Sequence, residues 1–132
     1  MVTPAEIPAP VVQFVAEHIK SLDQLVLLLL LQQSPDRWWD AASVSRELAM
    51  DTDSARQALE RFASQNLLAI SVSGDVRYRF QPGEPRLQEV AEAFNAAYRT
   101  NRLAILHLVT GRPQRSVRDF AKAFRIRRDD DR

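Results

Sequence analysis

Hydrophobic residues recur along the first third of the chain at the spacing of helices. The stripe from Val11 to Ile19 predicts a short amphipathic helix behind a proline-containing arm, residues 1 to 10. A second stripe runs from Leu22 to about Gln33, and Ser21 is placed to cap it. Its apolar residues surround the helix on all sides, so we predict that it is buried at the centre of the fold.

Residues 41 to 80 hold a succession of shorter patterns. A short helix follows Asp40, a turn is predicted at Ala49–Asp51, and a second helix uses the last residue of that turn as its N-cap. The spacing of the second helix predicts an inward face of Ala55, Ala58, Leu59 and Phe62, and an outward face at its start of Thr52, Asp53, Arg56, Gln57 and Glu60. Asn66 ends the second helix, because asparagine tolerates the left-handed backbone found at such ends. Two alternating segments around Gly74 then predict a β-hairpin with one apolar and one polar face.

The chain from Arg86 to about Thr110 lacks proline and glycine and predicts one long helix, in which Asn101-Arg102 marks a kink or a change of face. About 25 residues at 1.5 Å each give roughly 37 Å, which is more than a small domain needs. The segment Gly111–Pro113 is predicted to stop this helix, and residues 117 to 124 to form a last short amphipathic helix. Because the long helix has surplus apolar surface, we expect it to pack against a second copy of the chain.

The order helix, turn, helix and hairpin predicts a winged helix-turn-helix. The fold class is therefore mainly α with a small β-hairpin wing (α+β), extended here by a long C-terminal dimerisation helix. We expect three segments: an N-terminal arm with the short helix in residues 1–20, the winged helix-turn-helix domain in residues 21–81, and the long helix with the basic C-terminal helix, a dimerisation region, in residues 82–132.

The middle of the chain resembles the winged helix-turn-helix superfamily, in the broad style of MarR-like bacterial transcriptional regulators. The likeness covers about one third of the chain: the hairpin from Ile70 to Phe80 and the residues Leu48, Met50, Ala55, Leu59, Phe62, Asn66, Leu67 and Leu68. It implies a homodimer whose first and last helices form the interface, with the recognition helix and the wing facing DNA. The dimerisation candidates are Phe14, Phe94, Tyr98, Leu103, Leu106, Phe120 and Phe124.

The resemblance also implies which side chains face double-stranded DNA: Arg46, Thr52, Ser54, Arg56, Gln57, Arg77 and Arg79. Arg56 and Gln57 are the best base readers, because long side chains with several hydrogen-bonding groups can discriminate base edges. The arginines of the wing suit phosphate or minor-groove contact, although arginines on such strands are equally often merely solvated. The same helix start carries Asp51 and Asp53, which suit a helix N-terminus but are repelled by phosphates.

The net charge of +1 conceals an uneven distribution along the chain. Residues 99–132 hold ten arginines or lysines against four aspartates, a net charge of +6, so the remaining chain carries −5. Phosphate neutralisation supplies most non-specific DNA affinity, so a DNA-binding domain normally carries positive charge itself. The arginine-rich end is therefore either an electrostatic hook for nucleic acid or an acidic partner, or a solvated stretch whose phenylalanines pack on the body or on a second subunit.

Composition excludes several kinds of chemistry. The chain has no cysteine, and its two histidines, His18 and His107, lie far apart without a second ligand at metal-binding spacing. We expect no cofactor, and the three glycines form no phosphate-cradling loop, so we do not expect an enzyme. The longest aliphatic run is too short for a membrane span of about 20 residues, and no signal peptide is apparent, which favours a soluble cytoplasmic protein.

The residues leave a second function open. Trp38 and Trp39 interrupt the chain after the leucine-rich helix and are either a partner-binding surface or, as we favour, a lid on that helix. Together with the acidic main body, they are compatible with a winged domain that binds another protein instead of DNA. No residue set demands a small-molecule effector, and the sequence identifies neither an effector nor an operator.

Overall fold

The computed structural model describes residues 7–121, with side chains described for residues 7–111. In this part of the chain, four helices precede a single β-hairpin and two helices follow it. Its elements are α1 (Ala9–His18), α2 (Leu22–Gln33), α3 (Ala41–Leu48), α4 (Thr52–Ser64), β1 (Leu68–Ser71), β2 (Arg77–Phe80), α5 (Pro85–Thr100) and α6 (Arg102–Ala121). The described part is thus mainly helical with a small two-stranded antiparallel sheet, an α+β arrangement.

Three helices begin at the caps that the sequence predicts. The Ser21 hydroxyl accepts a backbone N–H of α2, and the Asp51 carboxylate accepts the backbone N–H of Ser54 in α4. Asp40 and Ser43 form a reciprocal capping box at the start of α3. Each cap satisfies backbone donors that have no partner inside the helix, which fixes where the helix starts.

The two strands of the hairpin end before its turn. β1 and β2 pair in the register Leu68 with Phe80 through Ser71 with Arg77, so the residues on either side of the turn lie outside the ladder. Gly74, at φ +95°, occupies the turn, and Asn66 has the predicted left-handed backbone at φ 70°. The apolar face of the hairpin therefore contacts the body only near its base, where the strands join the helices.

Trp39 adds one residue to the other edge of this sheet. Its backbone N–H donates to the Tyr78 carbonyl, and the Tyr78 N–H donates to the Trp39 carbonyl, both at 2.7 Å. Trp39 is 2% exposed, which confirms that at least one of the paired tryptophans packs in the core. The connection between α2 and α3 is thereby tied to the strand that follows α4.

A continuous buried cluster runs from Ile7 to Val109 and includes residues of all six helices and both strands. α2 contributes four fully buried leucines, but Leu22 and Val26 on its other side are 46% and 39% exposed. The prediction that α2 is covered all round is therefore wrong on one side. Helices of the body pack against only part of its circumference, and an apolar stripe is left at the surface.

The predicted long helix is two helices. α5 ends at Thr100, Asn101 leaves the helical conformation at φ −148°, and α6 starts at Arg102. The prediction that Gly111–Pro113 stops the second of these is wrong, because α6 continues through it to Ala121. A proline removes one backbone hydrogen bond, and here the flanking residues keep the helical path. Of the predicted last helix, residues 117–121 belong to α6 and residues 122–124 lie outside the described range.

Candidate nucleic-acid interface

The turn between α3 and α4 is held by side-chain hydrogen bonds. The Ser45 hydroxyl donates to the Met50 carbonyl at 2.6 Å, and the Thr52 hydroxyl donates to Ser45 at 3.1 Å. Ala49 takes a left-handed conformation, φ 55° and ψ 47°, which reverses the chain in three residues. These contacts fix the angle between the two helices and therefore the direction in which the start of α4 points.

The first two turns of α4 present polar side chains to solvent. Ala55, Ala58 and Leu59 face inward and are buried, while Ser54 and Gln57 are exposed. Neither exposed side chain has a hydrogen-bond partner within residues 7–111. Thr52 is also exposed, but its hydroxyl already donates to the turn. The predicted inward and outward faces are thus confirmed, and two of the predicted DNA contacts have their hydrogen-bonding groups free.

Arg56 is not free. Its guanidinium donates to the Asp53 carboxylate one turn earlier, and this hydrogen bond raises the pKa of Arg56. Both side chains are exposed, so water screens the pair and a stronger acceptor can displace Asp53. The main predicted base reader is therefore held in place by an acidic neighbour that a phosphate or a base must replace.

Two further predicted contacts meet around Asp40. Hydrogen bonds from Ser43 lower the pKa of Asp40, and the positive charges of Arg46 and Arg77 lower it further. Arg46 lies on α3 and Arg77 on β2, and both are exposed. Arg46 and Arg77, which are 31 positions apart in the chain, thus both lie within electrostatic range of the same capping carboxylate.

Arg79 is occupied by contacts within the protein. Its guanidinium lies over the Trp38 ring, 4.5 Å from the ring centroid, and donates to the Gln81 side chain at 2.6 Å. The residue is half-buried, whereas Arg77 on the same strand is exposed. Cation–π stacking orients the charge along the sheet and stabilises the tryptophan. Of the two arginines predicted on the wing, Arg77 is the one that presents an uncommitted charge.

Tyr78 connects the hairpin with the outer side of α4. Its side chain is 5% exposed, and burial raises its pKa. The negative charge of Glu60 raises this pKa further, whereas the positive charge of Arg56 opposes the shift. Tyr78 therefore lies within electrostatic range of Arg56 and Glu60 on the exposed side of α4.

Two features of this surface bear on what it can bind. The first is a group of exposed aliphatic side chains in the outer half of the hairpin: Ile70 at 52%, Val72 at 69% and Val76 at 46%. Alternation indicated an apolar face, but only the shape of the body shows that the face extends beyond the core. The second is the acidity of the surface, because Asp51, Asp53 and Glu60 outnumber Arg56 on exposed α4 positions of the first three turns.

The predicted dimerisation residues divide into two groups. Phe14 and Phe94 are 2% and 0% exposed and pack against one another inside the chain, with ring centroids 5.3 Å apart. Both rings therefore belong to the chain's own core and are not available for the dimer interface in which we expected them. Tyr98 and Leu106 are half-buried, and Leu103 is 77% exposed. Phe120 is in α6 beyond the described side chains, and Phe124 is outside the described range.

Leu103 is the most exposed large apolar residue of the described part and lies on α6, which packs against α2. The exposed side of α2 carries Leu22 and Val26. A surface groove of about 540 Å³ follows the same helix and is lined by Val26, Leu29, Leu30 and Arg99 among others. We call Leu22, Val26 and Leu103 the α2–α6 apolar residues.

The described residues contain no group of three or more histidine, aspartate or glutamate side chains placed to hold a metal ion. No helix among them combines the length and apolarity needed to cross a bilayer. Comparisons of the chain with protein-family models, with curated proteins and with solved structures found no match.

Proposed function

We propose that the chain is a bacterial, MarR-like winged helix-turn-helix regulator that binds double-stranded DNA as a homodimer in the cytoplasm and performs no catalysis. The observation that carries the proposal is the start of α4, where Ser54, Arg56 and Gln57 share an exposed surface behind a turn fixed by hydrogen bonds. Such an arrangement suits insertion into the major groove, where side chains of this kind discriminate bases.

The backbone pairing of Trp39 with Tyr78 supports the winged interpretation. It adds a strand residue between α2 and α3 to the hairpin that follows α4, so the hairpin is tied to the segment directly before α3, the first helix of the motif. Arg46 and Arg77 are exposed, lie within electrostatic range of Asp40 and suit contacts with phosphates. A dimer through the α2–α6 apolar residues would then read two half-sites about 34 Å apart.

Selection from fragmented genomic DNA and from a random duplex library, with the full chain at low salt, tests the proposal. We expect enrichment of a sequence with two half-sites, and Arg56→Ala should lower affinity for that sequence selectively. Arg77→Ala should weaken binding to all sequences and reduce the salt dependence, because it removes a phosphate contact. The proposal fails if no duplex is enriched or bound at low salt.

A second function, docking of a protein partner, is favoured by the exposed aliphatic residues of the hairpin and the acidic α4 surface. A phosphate backbone is repelled by Asp51, Asp53 and Glu60, whereas a basic, apolar protein surface would complement them. Under this alternative, Val72→Glu should abolish co-purification of a stoichiometric partner, and DNA should not compete. Under the DNA proposal, Arg56→Ala should lower the affinity for DNA more than Val72→Glu does.

A further inference from the structure

The groove between α1 and α5 is a large concave surface that the candidate interface does not use. It encloses about 670 Å³ and has Val11, Leu87 and Val90 among its apolar lining residues. Val11 is fully buried, whereas the two α5 residues are half-buried and accessible from the groove. The groove therefore offers an apolar floor to a narrow segment of chain.

The sides of the groove are acidic. Glu17, Glu84 and Glu89 line it together with a single arginine, Arg86, and all four side chains are exposed. Glu84 and Glu89 form no ion pair with any residue in the range 7–111. The Glu17 carboxylate accepts a hydrogen bond from the Gln13 side chain at 2.9 Å and lies 3.8 Å from His18. A ligand that fits this site carries apolar side chains for the floor and positive charge for the rim.

The chain itself contains such a segment. Residues 122–128 read Lys-Ala-Phe-Arg-Ile-Arg-Arg, with two large apolar side chains, Phe124 and Ile126, among four basic residues and no acidic one. In an extended conformation these apolar residues share one side and Arg125 and Arg127 share the other, and arginine side chains are long enough to bend back to a rim. The three aspartates that follow would be repelled by the glutamates and would lie beyond the groove.

The position of the segment in the chain favours capture by its own groove. α6 packs against both α1 and α5, the two walls of the site, and ends at Ala121. Phe124 and Ile126 follow Ala121 by three and five residues, so they can lie up to about 10 Å and about 17 Å from that end of α6. A short tether supplies an effective concentration in the millimolar range, which favours a weak contact within the chain over the same contact between chains.

We propose that the α1–α5 groove binds the basic segment 122–128 of the same chain, with Phe124 and Ile126 against the apolar floor and the basic residues beside Glu17, Glu84 and Glu89. In this contact, the glutamates of the groove neutralise part of the positive charge of the C-terminal segment. The contact also accounts for the opposite charges of the C-terminal stretch and the main body within one chain.

The absence of native cysteines permits a direct test with the full-length chain. Ala93 is exposed and lines the groove, so Ala93→Cys paired with Ala123→Cys reports contact through disulfide formation in a glutathione buffer. Ala42→Cys with Ala123→Cys is the matched control, because Ala42 is an exposed alanine on α3, away from the groove. We expect the cysteines at positions 93 and 123 to form a disulfide within one chain. Their effective concentration should be at least about tenfold higher than that of the control pair at positions 42 and 123.

Charge reversal provides the second arm of the test. When Glu89→Lys is added to the variant with cysteines at positions 93 and 123, the effective concentration of these two thiols should fall about fivefold. A further Arg125→Glu substitution in the same chain should restore part of it. Glu89 is exposed, so these variants should unfold at unchanged denaturant concentration, which excludes loss of the fold as the cause. Equal closure of the groove and control pairs, or disulfides formed only between two chains, would overturn the proposal. The second outcome would assign the groove to a second copy.

Discussion

Arg56 donates a hydrogen bond to Asp53 across one turn of α4, on the surface where base contacts are proposed. Asp53 holds the guanidinium along the helix and adds a negative charge where phosphates would approach. We predict that Asp53→Asn raises the affinity of the chain for its selected DNA about threefold to tenfold. Fluorescence anisotropy with a labelled duplex at fixed salt measures the change.

The matched control for this variant is Glu92→Gln, which changes the net charge by the same amount on the exposed side of α5. It should alter affinity much less, because α5 is outside the candidate interface. In the double variant Asp53→Asn with Arg56→Ala, the gain should be smaller, because only the effect of the lost negative charge remains. An undiminished gain without Arg56 would show that removal of a repulsive charge, and not release of the arginine, is responsible.

Leu103→Glu should convert the proposed dimer into a monomer without destabilising the fold. The side chain is 77% exposed, so no area within the chain is lost when it becomes charged. Sedimentation velocity over a dilution series should show the monomer for the variant where the unmodified chain is dimeric. Val72→Glu, which charges an equally prominent residue of the hairpin, is the control and should leave the association unchanged. The reverse pattern would place the interface on the hairpin.

Ala49→Gly should stabilise the protein by about 0.5 kcal/mol. Ala49 has φ 55°, a left-handed conformation that costs an alanine about 1 to 2 kcal/mol and a glycine little. The greater freedom of glycine in the unfolded chain offsets part of this gain. Chemical denaturation measures the change. Ala42→Gly, within α3, is the opposite control and should destabilise by about 1 kcal/mol. Destabilisation by both substitutions would contradict strain at Ala49.

Stability should fall above about pH 10 because of Tyr78. Burial raises the pKa of Tyr78 in the folded chain, so the unfolded chain loses this proton at lower pH than the folded chain does. The contribution is fully present below the unfolded pKa and is lost as the pH rises through the folded value. Tyr78→Phe should flatten this loss in denaturation curves between pH 8 and about 11. Tyr98→Phe removes the other tyrosine and should leave the loss in place.

Local sequence determined most of the secondary structure of this protein. The caps at Ser21, Asp40 and Asp51, the turn after α3 and the left-handed Asn66 depend on residues within a few positions of one another. Hydrophobic periodicity likewise identified the buried face of α4. Such features are predictable because each is a short-range balance between backbone donors and adjacent side chains.

The tertiary structure alone decided which surfaces remain available. Phe14 and Phe94 carry the same apolar signal as Leu103, yet the first two meet inside the chain and the third is exposed. Arg79 and Arg77 are alternate residues of one strand, yet only Arg79 stacks on Trp38. Residues far away in the chain determine whether an apolar or charged side chain makes its contacts within the fold. Periodicity contains no information about those partners. The helical stripes therefore established the elements, and long-range packing established the surface on which the proposed functions depend.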